Sequence, residues 1–128
     1  MSAEIPVVNH LTSTLGSKIR IVTRPMKQNH SVSICLFVKV GSRNEHPEIA
    51  GIAHLIEHLL FKGTEKRPSP MEISSAIEGV GGILNASTEQ EFTTYWYKVP
   101  QPYMAEGIDL LVDMVRSPLF APEELNRE

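Results

Sequence analysis

Gly51-Ile52-Ala53-His54-Leu55-Ile56-Glu57-His58-Leu59-Leu60-Phe61 is the stretch around which the rest of the chain can be read. At about 100° per residue of an α-helix, Ile52, Leu55, Ile56 and Leu59 share one face, whereas His54, Glu57, His58 and Phe61 share the opposite one. From Ile49 to Phe61 there is no Lys, Arg, Ser, Asn or Gln, so both faces are expected to be buried. The polar groups are then two imidazoles and the Glu57 carboxylate, and enclosing them without partners is costly. A divalent cation would satisfy all three. Histidines at i and i+4 stand one turn apart and can aim ring nitrogens at an ion about 2.0–2.1 Å away. Glu57 projects near the same ion and can take a proton from bound water, whose pKa a metal lowers to about 7. A random ordering of this composition gives about 0.02 expected His-x-x-Glu-His matches, which argues against coincidence.

On the N-terminal side, Ile19, Ile21 and Thr23 alternate with Arg20, Val22 and Arg24, and with Leu11–Leu15 before Gly16 they predict a hairpin. Ser31–Val40 alternates apolar residues on both faces and is expected to be a central strand. Gly41 to Pro47 reads as a loop. On the C-terminal side, Ser69-Pro70-Met71-Glu72 is a capping box with Pro at the first helical position, and a helix follows to about Glu78. Gly79, Gly81 and Gly82 end it. Ile83–Ser87 and Phe92–Val99 read as strands. Met104, Ile108, Leu111 and Val115 form the stripe of another helix, closed by Ser117-Pro118. Ala121–Glu128 reads as a helix that has just begun. Lys62, Glu65, Lys66 and Arg67 read as a solvated loop without a role. The layout is α+β, with helices packed on one face of an antiparallel sheet.

With 128 residues the chain is expected to form one domain, 1–128, and 41% apolar with 21% charged residues is the composition of an ordinary globular domain. Its net charge of −3 offers no basic footprint for phosphate, so no nucleic-acid partner is expected. Cys35 is the single cysteine, so CxxC zinc ribbons are excluded and any metal must be held by His and carboxylates. One thiol suits a reducing compartment. No apolar run has the length of a membrane span, and Met1–Val8 lacks the pattern of a signal peptide; the expectation is a cytoplasmic protein without a membrane partner.

His54-Leu55-Ile56-Glu57-His58 resembles the inverted zinc motif of the pitrilysin/insulinase metallopeptidases, which include the mitochondrial processing peptidases and bacterial zinc proteases. The resemblance extends along nearly the whole chain. Val38–Glu45 is similar to the strand and loop before the motif, Ala50–Ala53 to its lead-in, Leu60–Thr64 to its exit, and Gly81–Thr88 to the segment that carries the substrate-binding edge strand. The resemblance implies Zn2+ as cofactor, His54 and His58 as its ligands, Glu57 as general base, and Asn85-Ala86 as backbone that pairs with an extended peptide. It implies a metalloendopeptidase acting on a peptide or protein substrate, completed by a second homologous half or a partner subunit.

In that family a third ligand, a Glu, follows the second His by roughly 75 residues, which would fall just past Glu128. Glu128 itself resembles an acidic residue about two helical turns earlier. The chain is therefore expected to be C-terminally truncated and inactive alone. The rival expectations are a non-catalytic module of the same fold that binds a peptide or partner, and a metal-free structural domain. The doubly apolar helix disfavours the latter.

Overall fold

Period-2 burial sets the main sheet in this computed structural model, which describes residues 10–127; Met1–Val8 and Glu128 lie outside them. β1 (Leu11–Thr14) and β2 (Arg20–Thr23) form an antiparallel hairpin with Leu11 opposite Thr23, a small sheet of its own. β3 (Ser31–Val38), β4 (Ile83–Thr88) and β5 (Thr93–Pro100) form the second antiparallel sheet, in the order β3-β5-β4. Between β3 and β4 run α1 (Ile52–Leu60) and α2 (Pro70–Glu78); after β5 come α3 (Met104–Arg116) and the short α4 (Pro122–Leu125). No helix of the described residues is long and apolar enough to cross a membrane.

The α+β architecture expected from the sequence is observed, with a correction to strand order. β3 is an edge of the sheet and β5 is its centre. Apolar residues on both faces say what lies above and below a strand, not what lies beside it. The outward face of β3 is in fact open, with Phe37 66% exposed and resting edge-on against Phe92. The central position belongs to β5, whose Tyr95, Tyr97 and Val99 are buried. Ile34, Leu36, Leu84 and Ala86 stand beside them on the same face, and Leu60, Ile73, Ile77, Leu110, Leu111 and Met114 cover it from α1, α2 and α3. Each such apolar side chain stabilises by about 1.5–3 kcal/mol when fully buried, so this layer is where the stability resides.

α2 begins as its capping box predicts. The Glu72 N–H donates to Ser69 Oγ at 3.3 Å, and the Glu72 carboxylate accepts the Ser69 N–H at 3.0 Å. α3 is rotated from the expected stripe: Met104, Ile108 and Val115 are exposed, while Gly107, Leu110, Leu111 and Met114 face the sheet. The i, i+3, i+4, i+7 spacing is kept, but it starts on a glycine that an apolar count overlooks. A Cβ at Gly107 would lie 2.4 Å from Tyr97 Cε2, so the missing side chain is what lets α3 approach the Tyr97 ring.

The segment after α1 is solvated at Glu65 and Lys66, as expected, but anchored at Thr64 and Arg67. The Arg67 guanidinium donates to Asp113 at 2.7 Å and to Asp109 at 2.9 Å, and the buried Thr64 hydroxyl donates to Asp113 at 2.6 Å. Arg67 therefore ties the exit of α1 to α3 through an ion pair whose acidic member is buried.

Gly107→Ala tests the close approach. Replacing a helical Gly by Ala normally stabilises by about 1 kcal/mol, but overpacking costs about 1–3 kcal/mol. Because Tyr97 is fully enclosed, the clash is expected to win, with a net loss of about 1–2 kcal/mol in urea unfolding. A variant more stable than the parent would show that the ring yields.

Candidate metal centre

α1 starts at Gly51, whose φ of 96° lies in the left-handed region that favours glycine. Glycine has no side chain to cap a helix, and the cap comes from six residues upstream. The Glu45 carboxylate accepts the Gly51 N–H at 2.7 Å and the Ala53 N–H at 2.8 Å. These two hydrogen bonds hold Glu45 below the usual carboxylate range. Glu45 is itself carried into place by the preceding turn, where the Ser42 and Arg43 N–H groups donate to the carbonyls of Glu89 and Gln90, between β4 and β5.

So fixed, α1 turns Ala53, Glu57 and Leu60 inward. The expectation that both helix faces are buried is corrected: Ile52 and Leu55 are half-buried, and Ile56, His54 and His58 are exposed. Apart from Leu59, the buried residues lie between the two faces drawn from the sequence, and Glu57 reaches Thr88 of β4 while both histidines stay exposed. Glu57 is only 9% exposed, and its Oε2 accepts a hydrogen bond from the Thr88 hydroxyl. Its charge is felt inside: Tyr95 is pushed up to about 12, first by burial and then by the Glu57 carboxylate.

His54 and His58 converge from the exposed side of the helix. Their Nε2 atoms are 3.1 Å apart, and the rings meet edge-on with centroids 4.5 Å apart. One ligand atom from each of His54, Glu57 and His58 lies within 4.8 Å of the others. Two imidazole nitrogens on one tetrahedral ion, each at about 2.0–2.1 Å, would stand roughly 3.3 Å apart, so the observed pair fits such an ion with little adjustment.

Asn85 and Ala86 lie beside this centre. With Glu57, His58, Phe61 and Lys62 they line a cavity of about 270 Å3. Lys62 is thus a wall of the site, paired with Glu124 at 3.7 Å, and not merely a solvated loop residue. β4 is an edge strand, and the register divides Asn85 from Ala86. The Glu89 N–H donates to the Phe92 carbonyl across the turn, so by antiparallel alternation the backbone groups of Ser87 and Asn85 face β5, while those of Ala86 point to the open edge. Asn85 Oδ1 accepts the outward Ala86 N–H at 2.8 Å. A larger hollow of about 1140 Å3 lies between the hairpin and β3, lined in part by Arg20, Arg24 and Lys98. None of His54, Glu57 and His58 lines it.

Two contributors to the site were not found from the sequence. Glu45 caps across a loop, and Thr88 meets Glu57 across 31 residues; neither contact leaves a local pattern, although an acid shortly before a glycine-started helix is a usable hint.

With this geometry established, comparison with known proteins gives a consistent answer. Residues 20–128 match the description "Insulinase (Peptidase family M16)". The chain belongs to this family. It is 41% identical over 116 residues to an uncharacterized zinc protease of Streptomyces coelicolor, covering 91% of this chain and 25% of that protein. It is 34% identical over 127 residues to a probable mitochondrial-processing peptidase subunit beta of Arabidopsis thaliana, covering 94% of this chain and 24% of that one. A crystal structure of a protease from Helicobacter pylori superposes with a TM-score of 0.86 at 30% identity, covering 92% of this chain and 28% of the other. The chain thus spans about a quarter of the length of the relatives it matches.

Glu45 links this site to pH. Because its folded pKa is depressed, its stabilisation is present above the ordinary value of 4.5 and is lost as pH falls through the lower folded value. A glutamine keeps only one acceptor oxygen. Glu45→Gln is therefore expected to lower the thermal midpoint at pH 7, with the two proteins converging in acid. A gap that stays constant from pH 7 to below the glutamate range would contradict this assignment.

Proposed function

We propose that this chain is the zinc-binding part of a metalloendopeptidase, with His54 and His58 as ligands, Glu57 as general base and the free edge of β4 as the seat of an extended peptide. The observation that carries the reading is the convergence of the two Nε2 atoms and the Glu57 carboxylate beside one cavity whose other wall is a strand edge. Zinc, when bound there, would lower the pKa of a water to about 7 and polarise the scissile carbonyl.

The chain's own residues would do the rest. Glu57 takes a proton from the attacking water, whose oxygen bonds to the carbonyl carbon. As the C–N bond breaks, Glu57 returns that proton to the leaving amine. The peptide would add to β4 through main-chain hydrogen bonds, which give affinity with little sequence selectivity. To reach the Ala86 N–H, a peptide carbonyl must displace Asn85 Oδ1, and the Asn85 carboxamide then becomes free to contact the peptide. Two imidazoles leave a tetrahedral site half filled. We propose that a further carboxylate and the groups that bind the substrate carbonyl come from outside residues 1–128, from a second homologous half or a partner subunit. The lone thiol, Cys35, fits a reducing compartment such as the cytoplasm.

Zinc content and peptide cleavage, measured on the full-length protein, test these roles. His54→Ala and His58→Ala should each lose zinc. Glu57→Gln should keep it and lose hydrolysis by roughly 10²–10⁴-fold, the usual scale for a general base. If Glu57→Gln lost zinc as completely as His54→Ala, the division into ligands and base would be wrong, and a zinc-loaded parent that cleaves no peptide would mark a binding module instead.

Ala86→Pro separates edge pairing from metal binding. The lost N–H is an outward one, where an edge strand tolerates proline. Peptide affinity should fall by about fivefold to tenfold, the scale of one hydrogen bond, at unchanged zinc content. Unchanged peptide affinity would place the peptide elsewhere.

A further inference from the structure

We propose that Thr88 is a positioning residue for Glu57, holding Oε2 so that Oε1 is the oxygen left to accept and return the proton. The inference rests on the peptidase reading above and adds to it a residue outside the metal motif. Thr88 ends β4 on the helix-facing side of the sheet, and its hydroxyl has one proton to give. Two acceptors are near it: Glu57 Oε2, in close contact, and Thr93 Oγ1 at 3.5 Å. The Thr93 hydroxyl is 2.9 Å from the Val40 carbonyl, which can only accept. An ionised carboxylate also only accepts. The one assignment that serves every group has Thr93 donating to Val40 and Thr88 donating to Glu57. The opposite sense would leave the Val40 carbonyl without the Thr93 proton, in exchange for a contact at the outer limit of hydrogen bonding.

The donor is held firmly. Thr88 and Thr93 are cross-strand partners, Thr93 is 4% exposed, and Val40 lies two residues past the end of β3. β4, β5 and the segment that leaves β3 therefore fix one hydroxyl. A glutamate's terminal torsion is broad and roughly two-fold, so an untethered carboxylate would offer either oxygen in many orientations. Here Oε2 is engaged, and among the described residues no hydrogen bond is made to Oε1. When a proton arrives on Oε1, Oε2 still accepts from Thr88. The tether thus survives both protonation states, and the base needs no reorientation between taking the proton and returning it.

The test compares Thr88→Val, which keeps the branched shape and removes the hydroxyl, with Thr88→Ser, which keeps the hydroxyl. In the zinc-loaded full-length protein, Thr88→Val should lower kcat by roughly tenfold to a hundredfold, with KM within about twofold. Zinc content should not change. Thr88→Ser should stay within about threefold of the parent. A readout independent of activity is NMR of the metal-free protein, which should reveal a slowly exchanging Thr88 hydroxyl proton correlated with the Glu57 carboxyl carbon.

Parental kcat in Thr88→Val, with Glu57→Gln inactive, would overturn the proposal. So would equal losses in Val and Ser, since shape and not the hydroxyl would then matter. Should Thr88→Val fail to fold, Thr88→Ala against Thr88→Ser makes the same comparison. If Glu57→Gln kept full activity, the peptidase reading would fail, and the NMR correlation would still decide whether Thr88 holds Glu57.

Discussion

One carboxylate has to be kept inside the protein while two imidazoles of the same helix face out. A buried, unpartnered carboxylate would take up a proton or pull its helix towards water. Glu57 instead meets the Thr88 hydroxyl, and that contact fixes the rotation of α1 about its own axis. With the rotation set, Leu60 enters the core, and His54 and His58 are left on the open side. A few tens of degrees of roll would bury an imidazole and expose the acid.

Rotation is one degree of freedom, and the helix ends supply the others. At the start, Glu45 grips two N–H groups from a turn that is itself hydrogen-bonded to the β4–β5 connection. After the end, Thr64 and Arg67 converge on Asp113 of α3. α1 is a nine-residue helix, too short to be stable by itself in water. Its geometry is therefore a property of its tertiary anchors. The two imidazole nitrogens stand 3.1 Å apart because the backbone beneath them is pinned at both ends.

Much of this could be read from local sequence, and the reason is the range over which each signal acts. The His-x-x-Glu-His spacing, the Ser69–Glu72 box, the alternation in β3 and the Thr, Tyr and Trp content of β5 are satisfied within a few residues, so they are visible without a fold. What escaped reading was set by non-local contacts. Glu45 acts across a loop, Thr88 across the register of two strands, and Arg67 across more than forty residues to α3. The stripe of α3 was misplaced for a different reason: its innermost position is Gly107, and an apolar pattern cannot register a residue valued for having no side chain. The central position of β5 was equally hidden, since lateral neighbours leave no periodic mark.

The carboxamide of Asn85, folded back onto the Ala86 N–H, bears on a problem common to all open sheets. An unpaired strand edge is a template for any other extended chain, including another copy of the same protein. Here one of the outward donors that such a chain would seize is already occupied, by an acceptor that can be dislodged at the cost of one hydrogen bond, about 0.5–1.5 kcal/mol. That barrier is small for a ligand also held by other groups nearby, and unfavourable for a stray strand that gains nothing but the edge. The same side chain thus shields one outward donor of an edge that is otherwise open.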